Sequence, residues 1–176
     1  MTDELLDQVD KNDIVIGTVW KSEAHKNIKI IHREVAGVVF NNKGEVLLQQ
    51  RSFDKKNDPG VWKITAAGHP VAGESPAIAI SRELNEELGF DTEFIFFNKS
   101  YLEHNKVGEN CEARFVWVYY SIINYYPKLV LQTSEVNDAK WVKLTDLEEF
   151  SKNNNFRFED NSTKMLIEIC KKLKML

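Results

Sequence analysis

The sequence predicts an α+β fold, and three observations carry that prediction. Short β-rich runs outnumber helical patterns along the 176 residues. Among the helical patterns, only Ser75 to Gly89 follows directly on a long strand. The longest β-rich run, Glu112 to Ile123, is mostly apolar, as a central strand covered on both faces is.

Taken in order, Leu5 to Val9, the polar turn Asp10-Lys11-Asn12-Asp13 and Ile14 to Val19 read as a hairpin over about residues 5–19. Ser22 to Asn27 is polar, a turn or one helical turn. His32 to Phe40 is strand-like and ends at Asn41-Asn42-Lys43-Gly44, a loop with the glycine that a turn requires. Val46 to Arg51 returns as a strand. The loop Ser52 to Gly60 follows, and Val61 to Thr65 resumes a strand. After the Ser75–Gly89 helix come short strands at Glu93–Phe97 and Ser100–Glu103, the long run Glu112–Ile123, an edge strand at Leu129–Gln132 and a strand at Ala139–Lys143. A helix capped at Thr145 runs through Leu147 and Phe150 and ends at Asn153–Asn155. Ser162 or Thr163 caps a last helix with an apolar stripe of Met165, Leu166, Ile169 and Leu173. With no repeat, low-complexity tract or interdomain linker, residues 1–176 are expected to form a single domain.

Composition narrows the function classes. The chain is long enough to bury about 70% of its unfolded surface. Its 43% hydrophobic and 28% charged residues are ordinary for a soluble protein. A net charge of −4 does not suit a nucleic-acid polymer as partner. No apolar run is long enough for a membrane, and the acidic start MTDELLDQVD is not a signal peptide. Cys111 and Cys170 lack metal-ligand spacing and read as free thiols, so a cytoplasmic location is expected. A homodimer is left open.

The stretch Gly68 to Phe90 carries the chemistry. Ser75-Pro76 starts a helix and Gly89 stops it, with Ala77, Ile80, Leu84 and Leu88 on the buried stripe. Glu83, Glu86 and Glu87 share one side of that helix and repel one another, the last two also facing the negative end of the helix dipole. A solvated acidic face is one reading. The other is a divalent cation as the missing partner, and oxygen ligands point to Mg²⁺ or Mn²⁺ shared with a phosphate.

Gly68, Glu74, Arg82, Glu83, Leu84, Glu86, Glu87, Gly89 and Phe90 fill the defined positions of the Nudix box, so the chain resembles a Nudix hydrolase. The resemblance implies a mixed sheet sandwiched between helices, an α/β/α arrangement. It also implies hydrolysis of a diphosphate linkage in a nucleoside diphosphate derivative or related small phosphorylated molecule, by attack of a metal-activated water. Glu83, Glu86 and Glu87 would bind the metal with the Gly68 carbonyl, or Glu86 or Glu87 would act as base. Arg82 would pair with Glu74, a structural role. Intact box carboxylates argue against a non-catalytic binding module on this scaffold.

A second resemblance covers the N-terminal half. His25, His32, the run HREVAGVVFNNKGEVLLQQRS and the segment PGVWKITAAGHP look like isopentenyl-diphosphate isomerase, itself a Nudix member. It implies metal ligation by His25, His32 and His69 with two later glutamates, one matching Glu112 and the other falling on Asn110. Each histidine is also read as a structural hydrogen-bonding residue. The isomerase needs a cysteine before the glycine of GHP, where this chain has Ala66-Ala67, so half of an acid–base pair is missing. Its box is also usually degenerate, and this one is intact. Hydrolysis is therefore the expectation and isomerisation the alternative. Arg51, with Lys55 and Lys56, is read as contacting substrate phosphates or as a solvated loop. Trp62 is expected to pack beneath the site, Glu135 to reach it from a loop, and His104 to lie in a loop. Tyr119, Tyr120, Tyr125 and Tyr126 are read as packing residues or as stacking on a base.

Overall fold

A computed structural model describes residues 3–105, 111–153, 157–158 and 160–175. Asn110 and the Asn154–Asn155 helix end lie outside the described residues. The chain runs β1 (Leu5–Val9), β2 (Val15–Trp20), α1 (Lys21–Ala24), β3 (Ile31–Asn41), β4 (Glu45–Arg51), β5 (Val61–Lys63) and β6 (Ala66–Gly68). It continues through α2 (Pro76–Leu88), β7 (Ile95–Asn105), β8 (Cys111–Ile123), β9 (Val136–Lys143), α3 (Leu147–Lys152), β10 (Arg157–Phe158) and α4 (Asp160–Leu173).

The strands form one mixed sheet with β3 as its hub. One edge of β3 pairs with β8 in parallel over its whole length, from Ile31 opposite Ala113 to Asn41 opposite Ile123. Its other edge is divided among β1 at Val9, β6 at Ala66–Gly68 and β4 at Val46–Leu47. A strand used on both edges and covered on both faces needs a near-continuous apolar run, and VAGVVF supplies it. Where β3 and β4 part, the buried Thr65 hydroxyl bridges them, accepting from Val39 N–H at 2.8 Å and donating to the Leu47 carbonyl at 2.6 Å.

Neighbouring residues of β3 face opposite layers. Val35 and Val39 pack with Leu47 and Tyr119 against Ala79, Ile80, Leu84 and Leu88 of α2. Ala36, Val38 and Phe40 pack with Leu48 and Trp62 against Leu166, Ile169 and Cys170 of α4. Each fully buried leucine contributes about 1.5–3 kcal/mol. Helices on both sides of a mixed sheet make the α/β/α sandwich the sequence implied. Gly37 sets how closely α2 lies, because a methyl there would come within 2.8 Å of Ile80.

Several elements differ from the sequence reading. The two short strands after α2 are one strand, β7, kinked where its register shifts between Phe96 and Asn98. His104 lies in that strand opposite Glu112, not in a loop. Of the Val61–Thr65 strand only Val61–Lys63 is β5; Ile64 and the buried Thr65 lie between it and β6. Leu129–Gln132 is not a strand. Its backbone instead caps the end of α2, with Val130 N–H on the Leu88 carbonyl and Gln132 N–H on that of Glu87. The Thr145 hydroxyl donates to Asp146 rather than capping, and a 3-10 turn, Leu144–Asp146, precedes α3. α4 starts at Asp160, which puts Ser162 and Thr163 inside the helix. On α2, Ala77 is exposed and Ala79 takes its expected place on the buried face.

Candidate active site

Helix α2 builds the first half of the site. Ser75 caps it, its Oγ accepting from Ile78 N–H, and Gly89 ends it at φ 75°, in the left-handed region glycine enters at least cost. Glu83 and Glu87 point from successive turns toward β6. Glu87 is 8% exposed and its Oε2 accepts from Gln49 Nε2 at 2.8 Å. A methyl at Gly68 would overlap the Glu83 carboxylate, so only glycine lets the strand pass this close. Burial pushes the Glu83 carboxyl up to about 7 against the pull of Arg82. Burial, then the Glu83 charge, pushes Glu87 up to about 8. Two neighbouring carboxyls, one half-buried and one buried, that resist ionising without a counter-charge are a fit for a cation.

Arg82 is the hub of the surrounding ion pairs. Its Nε and Nη2 each donate to a Glu74 oxygen at 3.0 Å, Nη1 donates to Glu83 at 2.8 Å and Glu86 at 3.2 Å, and Nη2 reaches the His69 carbonyl at 3.0 Å. A cation is thus not the acidic face's sole possible partner, because one guanidinium touches two of its three carboxylates, Glu83 and Glu86, besides Glu74. Glu86 also departs from the expected trio: its side chain is 52% exposed, on the solvent side of Arg82.

The second half comes from four separate elements. His25 closes α1, His32 lies on β3, His69 follows β6 and Glu112 lies on β8. The Nε2 atoms of His25 and His69 are 3.1 Å apart. One ring nitrogen from each of the three histidines lies within 4.8 Å of the others, a spacing that could hold a metal ion. Glu112 Oε2 is 3.4 Å from His25 Nε2 and 4.0 Å from His32 Nε2, while Oε1 is 2.8 Å from Arg114 Nη1. Arg114 also pairs with Glu34. Burial depresses all three imidazoles, His25 to about 4 and His32 to about 3, with His69 also well below the ordinary range. Lys21 adds to the effect at His25 and His69, and His25 at His32. The rings are neutral at pH 7, and the buried Nε2 of His32 has no hydrogen-bond partner among the described residues. A neutral lone pair without a donor fits a metal.

Strand β6 divides the two halves. Gly68 meets Glu83 of α2, and Ala66 packs in the α2 core, whereas Ala67 packs toward the other layer. The remaining expectations fall around this ridge. Arg51 Nε donates to the Asn57 carbonyl, and Lys55 pairs with Glu135 at 2.5 Å, so both brace the loop before β5. Lys56 is exposed. Trp62 is fully buried in the α3–α4 core rather than beneath the box helix, edge-on to Phe150. Tyr119 is core, and Tyr126 binds Glu45 on the surface. Gln49 and Arg114 were not anticipated. Gln49 had a signal: alternation from the core residue Leu47 puts it on the same face. Arg114 had none short of knowing the parallel β3–β8 register.

Comparisons with known proteins agree with this geometry. The profile of the NUDIX domain matches residues 30–162. A Photorhabdus laumondii protein named isopentenyl-diphosphate Delta-isomerase 2 is 36% identical over 82% of this chain and 80% of its own length. A Serratia proteamaculans isopentenyl-diphosphate Delta-isomerase is 30% identical over 89% and 86%. Among solved structures, a Deinococcus radiodurans protein superposes over 95% of this chain and 99% of its own at a TM-score of 0.72 and 19% identity. The NUDIX domain of a Shewanella oneidensis protein, solved with ADP ribose, covers 86% and 92% at 0.65 and 18%. Likeness at that identity is one of fold. No described helix is long and apolar enough to cross a membrane.

Proposed function

The chain belongs to the Nudix family, and we propose that within it the protein is a Mg²⁺- or Mn²⁺-dependent hydrolase of a diphosphate linkage in a nucleoside diphosphate derivative or related diphosphate. The observation that carries this reading is the pair Glu83 and Glu87, the first half-buried and the second buried, set against a strand whose facing residue is glycine. When bound, the cation neutralises diphosphate oxygens and lowers the pKa of a water beside them. Glu83, Glu87 and the Gly68 carbonyl would hold it, an oxygen set that suits a hard ion. Gln49 fixes the Glu87 carboxylate, and Arg82 fixes Glu74 and Glu83, so the donors need little rearrangement. Glu86, at the solvent edge, or Glu87 takes the proton from the attacking water. Lys55 and Arg51 give the loop before β5 the positive charge a phosphate needs. Two free thiols suit a reducing, cytoplasmic setting.

One observation favours a second reading, isomerisation of isopentenyl diphosphate. The His25–His32–His69–Glu112 cluster is assembled as a nitrogen-rich site, and relatives covering most of the chain carry the isomerase name. Against it, Ala67 puts only a methyl on that side of β6, so one member of an opposed acid–base pair is absent. The test is nucleotide or phosphate release from a panel of nucleoside diphosphate derivatives with Mg²⁺ or Mn²⁺, with isopentenyl diphosphate isomerisation followed in parallel. Release from a panel member, lost in Glu87→Gln, supports the hydrolase. Isomerisation without release overturns it.

A further inference from the structure

The loop Gly68–Glu74 joins the histidines to the carboxylates, and its second half is held from outside by β1. Ala72 N–H donates to the Leu5 carbonyl at 2.8 Å, Leu6 and Val71 form an antiparallel bridge, and Gly73 N–H donates to Asp7 Oδ1 at 3.0 Å. Gly73 sits at φ 81°, a conformation open to glycine and costly for other residues. The next residue is Glu74, whose carboxylate receives Arg82 and Val71 N–H. The position of Gly73 therefore decides where Glu74 stands, and through Arg82 where Glu83 and the His69 carbonyl stand.

Asp7 is itself anchored more firmly than a hairpin requires. It is 8% exposed, and its second oxygen lies 3.8 Å from Arg33 Nη1. Arg33 is fixed in turn by Asp13, donating to the carboxylate at 2.6 Å and to the carbonyl at 2.7 Å, and Lys99 holds the other Asp13 oxygen at 2.9 Å. None of these contacts lies within the hairpin. They tie it to β3, β7 and the loop.

We infer that Asp7 is a positioning residue for the cation-binding loop, acting through the Gly73 amide on Glu74, Arg82 and Glu83. The inference rests on the hydrolase reading above. Without that acceptor the Gly73 peptide regains the wide conformational range of glycine, and a shift of about 1 Å in such a frame costs up to on the order of 10²-fold. Asparagine keeps an oxygen for Gly73 N–H and loses only the attraction to Arg33.

The experiment measures Mn²⁺ affinity by calorimetry, counting the component that Glu87→Gln removes, together with amide hydrogen exchange at residues 71–74. Asp7→Ala is expected to weaken that component about tenfold and to speed exchange at Gly73, with Asp7→Asn within about twofold of wild type. Should Asp7→Ala not fold, Asp7→Ser, too short to reach Gly73, replaces it with the same expectation. A lower melting temperature with unchanged Mn²⁺ affinity would reduce Asp7 to a structural residue and overturn the inference, as would Asn behaving like Ala. Wild-type protein with no Glu87-dependent Mn²⁺ component would sink the hydrolase reading first and this inference with it.

Discussion

The two sides of β6 hold two kinds of ligand set, built in opposite ways. On the α2 side, Glu83 and Glu87 are anionic oxygens on adjacent turns of one helix, crowded by burial until they resist ionising. On the other side, His25, His32, His69 and Glu112 come from four elements and present neutral nitrogens with a single carboxylate. The first set is local in sequence and hard in chemistry; the second is dispersed and softer. Proximity of two sites thus does not make them one site. The helix carries the reaction in the hydrolase reading, and the histidines form a separate cluster, spaced so that it could hold a metal ion, that this chain keeps beside Ala67.

The largest expected effect is on the helix side. Glu87→Gln should lower diphosphate hydrolysis on the order of 10²–10⁴-fold, while thermal unfolding shows the fold retained or more stable. Full activity in that variant would reverse the comparison. His69→Gln should abolish the visible absorption that Co²⁺ gains on binding nitrogen ligands, yet change hydrolysis by less than about tenfold. A parallel collapse of hydrolysis would show that the two sets act as one.

The pH dependence of the metal-free protein separates them further. The Glu83 and Glu87 carboxyls, ordinarily near 4.5, keep protons in the folded state up to about 7 and 8. Folding therefore takes up protons in that window, and stability falls as pH rises through it. The histidines act oppositely: depressed from 6.5 to about 4 and 3 at His25 and His32, they lend stability above 6.5 that is lost as pH falls below it. Of these groups only the carboxyls titrate in the folded protein between pH 6.5 and 8, so the melting temperature should decline there, and Glu87→Gln or added Mn²⁺ should flatten the decline. The smallest effect is expected at Lys55→Gln. Loss of the Glu135 pair should raise KM a few-fold with kcat nearly unchanged, as read from initial rates.

How much of this was legible follows from the same contrast. Ser75, Pro76, Glu83, Glu87 and Gly89 speak through spacing along one helix, and helical spacing is readable without knowing the fold. The α/β/α layering was legible only through the Nudix resemblance, since many strands with few helices gave no more than an α+β class. The histidine set spans His25 to Glu112 and was visible only by resemblance, because nothing in a strand announces which residue 80 positions away will face it. The same blindness hid Arg114, and it hid the partners of Arg51 and Lys55 across a loop. Ala77 against Ala79 was a smaller miss: two small residues give the helical stripe little to choose between.

The parallel ladder between β3 and β8 has a consequence for how the molecule comes into being. It joins Ile31 to Ala113 and Asn41 to Ile123, so the hub strand waits for a partner made long after it. A nascent chain that has reached residue 105 already contains Glu83 and Glu87 of α2 and the three clustered histidines, but one edge of β3 is bare and Glu112 has not been made. Non-local pairing of this kind is slow, on the order of milliseconds to seconds. Over that interval the bare edge is open to pairing with other chains. Any cation held by the histidines would then mark the end of folding rather than its beginning, and a metal-sensitive signal during refolding should trail the burial of Trp62.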